Sequence, residues 1–478
     1  MYRIVNFVKL IIAFIIFALP FQLKAQTDTD FWYVVPEITV NHGYPGGIPA
    51  HLRFATFNLP ATITISMPAN TALFPDIVIT VAANSTSSVD LSNWVFTAGA
   101  EQNKIENKTL NASGINNFGI HITSTSLITA YYEINNDWNT DIWALKGKNA
   151  LGTDFYTPFQ THGANGNYGS PDGTAQPYSA IDIVATENNT TVWVTPTKNA
   201  EYGNAGSTIA AGVTKSFTLQ KGQTLSIFPQ GKSQAAANRL AGSHVTSNKP
   251  IAVSLKDDSI IHPSGGCRDV AGDEIVPTNI IGVEYIVNRT FLDNYDYVYV
   301  VATQASTPIY IDGVLATTIN AGQQYQIQFL TTYPTSYMKI ASRQLVTDPY
   351  KPIYVFHIGG FGCEQGGAIV PPIDVCTGST KVAFTRPKSS PFYLTMMVRD
   401  NAQDGFLVDG VVRNDLIPPA SFVLVPGTKW RVARFGSFTT GQFAMGQHLI
   451  SNTKDIFHLG IVNGDAGTTC MYGYFSDF

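Results

Sequence analysis

Four segments of the chain echo one another in order and spacing, and an internal repeat limits the possible folds more than any single motif does. Each begins with a short aromatic or β-branched run: DFWYVV at 30–35, DFYTP at 154–158, GVEYIV at 282–287 and GSTKVAF at 378–384. A hairpin pattern follows in each, at 52–68, 181–197, 298–313 and 394–410. Apolar residues alternate there on both sides of a turn bearing Asn, Gln or Asp. Alternation with period two is the mark of a half-buried strand. The clearest echo comes last: GIHITSTSLITAYY at 119–132, GSHVTSNKPIAVSL at 242–255, SRQLVTDPYKPIYVFHI at 342–358 and GQHLISNTKDIFHLGIV at 446–462. In the third copy Tyr354, Phe356 and Ile358 alternate with Ile353 and Val355, so that strand is apolar on both faces and belongs inside a sandwich or an interface.

No long apolar pattern with a 3.6-residue period occurs beyond the first 25 residues, so the expected architecture is all-β. Four diverged β-sandwich-like repeats in tandem are expected, at 26–151, 152–281, 282–377 and 378–478. A closed propeller of paired four-stranded blades is the alternative. Residues 1–25 read as a secretory signal peptide: Arg3 and Lys9 flank an apolar run from Leu10 to Leu19, and a small residue, Ala25, marks the break. That run is shorter than the roughly 20 apolar residues of a membrane span. The expected location is therefore secreted, extracellular or at the cell surface, with no transmembrane segment.

Charge narrows the partners. Lys and Arg number 29 against 34 Asp and Glu, and the leader takes Arg3, Lys9 and Lys24 with it. This balance argues against nucleic acid, which is bound through clustered cations. Four cysteines in an exported chain, Cys267, Cys363, Cys376 and Cys470, suggest two disulfides with three possible pairings, and none has the spacing of a metal site.

His121, His244 and His448 look like a ligand triad until the repeat is considered. They occupy one slot in three copies, which marks them as strand-start residues with local hydrogen bonds. His42, His51 and His162 fall in Gly- and Pro-rich insertions and read as exposed. Asp172, Asp293, Asp296 and Asp465 read as turn residues. The richest polar stretch is Lys256, Asp257, Asp258, Arg268, Asp269, Asp273 and Glu274, read as a Gly-rich loop closing the second copy. It is a candidate recognition surface, with Ca²⁺ held by carboxylates as the cofactor option and a hydrolytic carboxylate pair as the enzymatic one. Among the aromatics of the first copy, Trp138 in a polar run is the candidate for stacking on a sugar or anchoring a protein. No nucleophile elbow, zinc helix or phosphate loop occurs.

The strings TDFWYVVPE, AGSHVTSNKPIAVSLKDDS, GDEIVPTNIIGVEYIV, GFGCEQGGAIVPPIDVCTGST, QDGFLVDG and CMYGYFSDF resemble the N-terminal domain of IgG Fc-binding proteins, in the form found in secreted and surface proteins of the Bacteroidota. The resemblance runs over roughly 30–478. It implies a binding or adhesion protein for an extracellular protein or glycan, and it brings no catalytic residues. A carbohydrate-active hydrolase and a self-associating surface protein are the alternatives.

Overall fold

The computed structural model describes residues 27–38, 50–95, 105–107, 112–135, 140–166, 176–203, 206–292, 294–375, 377–465, 469–475 and 478. The leader, His42, Trp138, Asp172, Asp293 and Cys376 lie outside them. The described residues form 35 strands and four short 3₁₀ turns, with no α-helix. The protein is all-β.

Its sheets hold 8, 10, 4, 5, 3 and 5 strands, an arrangement unlike eight four-stranded blades. One pairing order recurs along the chain. In the first stretch, the part of Thr27–Pro36 from Asp30 to Val34, and Ala61–Ser66, pair with the first half of the long strand Gly119–Asn135. Ala50–Thr56 and Thr140–Ala144 pair with its second half. In the next, Gly152–Tyr156 and Thr190–Thr195 take the first half of His244–Ile261, and Ser179–Ala185 and Arg268–Ile275 the second.

Further on the long strand is divided, and the sheet divides with it. Glu284–Asn288 and Thr307–Ile311 pair with Tyr337–Ala341, while Asp296–Ala302 and Glu364–Ile369 pair with Ile353–Gly362. Lys381–Arg386 and Phe406–Val408 pair with Gly446–Asn452, while Phe392–Arg399 and Thr469–Phe475 pair with Phe457–Asp465. Pro349 and Pro352 separate the two pieces in the third stretch, since neither can donate to a ladder. In the fourth, the Asn452 side chain accepts the Lys454 and Asp455 amides and turns the chain out. This recurrence supports the proposal that one block was copied four times.

Burial follows the alternation. Ile353 and Val355 enter one core, with Val298 and Val300. Tyr354, Phe356 and Ile358 enter another, with Val253 and Ile275 from the preceding stretch. The strand expected to be apolar on both faces is buried on both.

Candidate functional site

The last strand of each stretch stays paired in its own sheet and also packs against the last strands of neighbouring stretches. Thr140–Ala144 packs against Arg268–Ile275 and Thr469–Phe475, and Glu364–Ile369 packs against the same two. The four strands close a ring, so the stretches surround a common hub. They do not lie in a row. Glycine allows this close approach. A Cβ on Gly366 would sit 2.7 Å from Asp141 Oδ1 and 2.8 Å from Tyr472 Cβ, and one on Gly272 would sit 2.5 Å from Trp143 Nε1.

Asp141 stands at the hub. The amides of Gly272 and Gly367, from two other stretches, donate to its Oδ2 at 3.2 and 3.3 Å. Burial drives its pKa well above the ordinary carboxylate range, against the pull of the surrounding amides of Ile142, Gly367, Gly272 and Tyr472. Nearby, Asp269 is fully buried, and burial together with the adjoining Glu364 carboxyl raises its pKa well above normal. Cys470 is a buried free thiol among these acids, and burial pushes its pKa up. The disulfide expected of Cys470 is therefore absent, and its position inside the hub makes it an inert thiol. Cys267 and Cys363 are bonded to each other and join the second and third stretches. Those two cysteines and Glu364 are the one group close enough to share a metal ion among the described residues, and the disulfide removes two of its three ligands.

The stretch 256–274 is corrected by this arrangement. It is two paired strands with a short turn between them, and Lys256, Asp257, Asp258, Asp269, Asp273 and Glu274 are buried. Arg268, at the start of the second strand, is half-buried. Composition misleads here because carboxylates and glycines are depleted from ordinary strands. In this protein they have partners from other sheets.

Asp257 binds Arg239 Nε at 2.7 Å and accepts from Gln160 Nε2 and Asn165 Nδ2 at 2.7 and 2.8 Å. Lys256 lies 3.4 Å from the centre of the Tyr178 ring and donates to the Glu37 carbonyl. Asp273 takes Lys146 Nζ at 2.8 Å and the Ile369 amide at 3.0 Å, and Glu274 Oε2 takes the Lys146 amide at 2.6 Å. Asp257 is thus neutralised by Arg239 and Asp273 by Lys146, while Glu274 shares the Lys146 environment. Among the described residues, no three of these acids bring their ligand atoms within reach of one ion.

The histidines divide in two. His121 Nε2 meets Asp30 at 3.1 Å and stacks on Trp32, with ring centres 4.1 Å apart. His244 repeats the arrangement with Asp154 at 2.6 Å and Tyr156 at 4.2 Å. His448 faces Phe384 across its ladder but meets a different acid, Asp409, at 2.8 Å. Each keeps to its own sheet, as the shared slot implies.

His162 and Asp296, read as exposed and as a turn residue, are the exceptions. His162 bonds the Tyr299 hydroxyl and Gln365 Oε1 at 2.5 and 2.8 Å and stacks on Tyr297, and burial lowers its pKa to about 4. Asp296 is buried against His357 Nε2 at 2.9 Å, and His357 Nδ1 meets the Tyr472 hydroxyl, also at 2.9 Å. Neither contact has a sequence signal, because each joins residues more than 50 positions apart.

At the periphery, a cleft of about 280 Å³ opens between the first and last stretches, lined by Phe57, Leu59, Ser126, Leu127, Thr380 and Lys381. Leu59 and Leu127 are 64% and 44% exposed. None of the residues singled out from sequence lines it.

The profile of the family described as IgGFc binding protein matches residues 143–461, more than half of the chain. The match covers the second and third stretches and the fourth up to residue 461, and leaves most of the first outside, a narrower span than the expected 30–478. No curated protein matches the chain significantly. The chain belongs to the IgGFc binding protein family.

Proposed function

We propose that this is an extracellular binding protein, in which a ring of sheets acts as a rigid frame and peripheral turns receive a protein partner. The family supports binding as the activity. One observation carries the reading against catalysis. The acids and imidazoles of the hub are engaged by groups of neighbouring sheets: Asp141 by Gly272 and Gly367, Asp273 by Lys146, His357 by Asp296 and Tyr472. Groups held this way fix architecture and are not free to reach a substrate.

The cleft between the first and last stretches suits a partner's apolar side chain. Leu59 and Leu127 supply exposed apolar area, and Lys381 and Asn58 supply a polar rim. The test is capture of immunoglobulin Fc, of mucin and of a glycan array by the intact secreted chain, repeated with Leu59→Asp and Lys381→Glu. Protein capture weakened at least about tenfold by either substitution is expected, the scale of a lost interface anchor. Binding confined to glycans, or no binding at all, would overturn the reading.

A further inference from the structure

Of the buried ion pairs, Lys146 with Asp273 stands out chemically. Its side chains are 1% and 3% exposed. Arg239–Asp257 is as deeply buried, but a guanidinium does not lose its proton in a protein. Lys256, the other buried lysine, donates to the Glu37 backbone carbonyl and lies over the Tyr178 ring. Among the described residues, Lys146 alone presents an amine 2.8 Å from a carboxyl oxygen with both side chains buried.

The surroundings orient the two side chains. Lys146 Nζ also donates to the Ala144 carbonyl at 2.9 Å, which fixes the direction of its approach. Both Asp273 oxygens accept a backbone amide, Oδ1 from Glu274 at 2.9 Å and Oδ2 from Ile369 at 3.0 Å. Amides placed there stabilise the negative charge that develops when an amine adds to the carboxyl carbon. Two reactants held in contact react faster through proximity alone. A second carboxyl is near enough to feel both charges: Glu274 Oε2 accepts the Lys146 backbone amide at 2.6 Å, and Lys146 and Asp273 both act on it electrostatically. Burial raises its pKa to about 8, so it carries a proton at neutral pH.

We propose that Lys146 and Asp273 condense into an internal amide that staples the end of the first stretch to the second. The ammonium gives one proton to the Asp273 carboxylate, leaving a neutral amine and a neutral acid. The nitrogen lone pair attacks Cγ, the N–C bond forms, and one C–O bond breaks. That oxygen leaves as water, carrying its own proton and a second one that Glu274 passes from the amine. No oxidant or reductant is required. The product removes two buried charges whose desolvation opposes folding.

Mass spectrometry of the denatured, reduced full chain tests this. The folded protein is expected to be lighter by one water molecule than its sequence, and the Lys146→Arg chain, after allowing for the substitution, is expected to retain that water. Digestion is expected to yield a branched peptide joining Lys146 to Asp273, with no tryptic cut after Lys146. Glu274→Gln is expected to leave most of the chain at full mass. Unmodified chain carrying the full sequence mass, or a water loss that maps elsewhere, would overturn the proposal. A Glu274→Gln chain that condenses as completely as the original would remove Glu274 from the chemistry.

Discussion

Asp141 accepts amides from two other stretches, and its substitutions separate hydrogen bonding from charge. Because burial favours its neutral form, Asp141→Asn keeps an acceptor oxygen and is expected to cost under about 1.5 kcal/mol, the worth of an ordinary hydrogen bond. Asp141→Ala leaves buried amides unpaired and opens a cavity, at about 3 kcal/mol or more. Urea unfolding measures both, and equal losses would contradict the assignment. Glu274 supplies a pH test. Its folded pKa of about 8 lies above the unfolded carboxyl value. The folded chain therefore holds a proton that the unfolded chain gives up near pH 4.3. The stabilisation is complete below the unfolded value and is lost as pH rises through 8. Glu274→Gln does not titrate, so its unfolding midpoint is expected to fall less than that of the unmodified protein between pH 5 and 9. Parallel profiles would count against the burial.

At the scale of elements, the hairpins, the long strands and the two-faced strand Ile353–Gly362 were legible because alternation is local. The Asp30–His121 and Asp154–His244 pairs were half legible: the shared histidine slot was visible, but the acid lies 90 or more positions away on the opening strand. His121→Gln and His244→Gln are expected to cost similar amounts, about 1 kcal/mol each, as partly exposed pairs do. Denaturant midpoints check this, and a loss confined to one of the two would break the equivalence. The strand Arg268–Ile275 was not legible. Its glycine and carboxylates read as a loop, and only contacts with Lys146, Ile369 and Asp141 explain their burial. The Cys267–Cys363 bridge closes 96 residues, so Cys363→Ser is expected to lower stability by about 2–5 kcal/mol. A midpoint unchanged from that of the parent chain would contradict it.

For the whole molecule, closure of the ring was beyond the reach of sequence. A repeat predicts similar blocks and says nothing of how their last strands meet, since Thr140 donates to the Cys470 carbonyl across 330 positions. The consequence is mechanical. A row of sandwiches unfolds block by block, whereas four blocks that share buried acids, glycine approaches and a disulfide lose their hub together. Scanning calorimetry of the intact chain tests this most directly. The account predicts one transition whose calorimetric and van't Hoff enthalpies agree. Three or four separable transitions, each with the enthalpy of a single block, would contradict it.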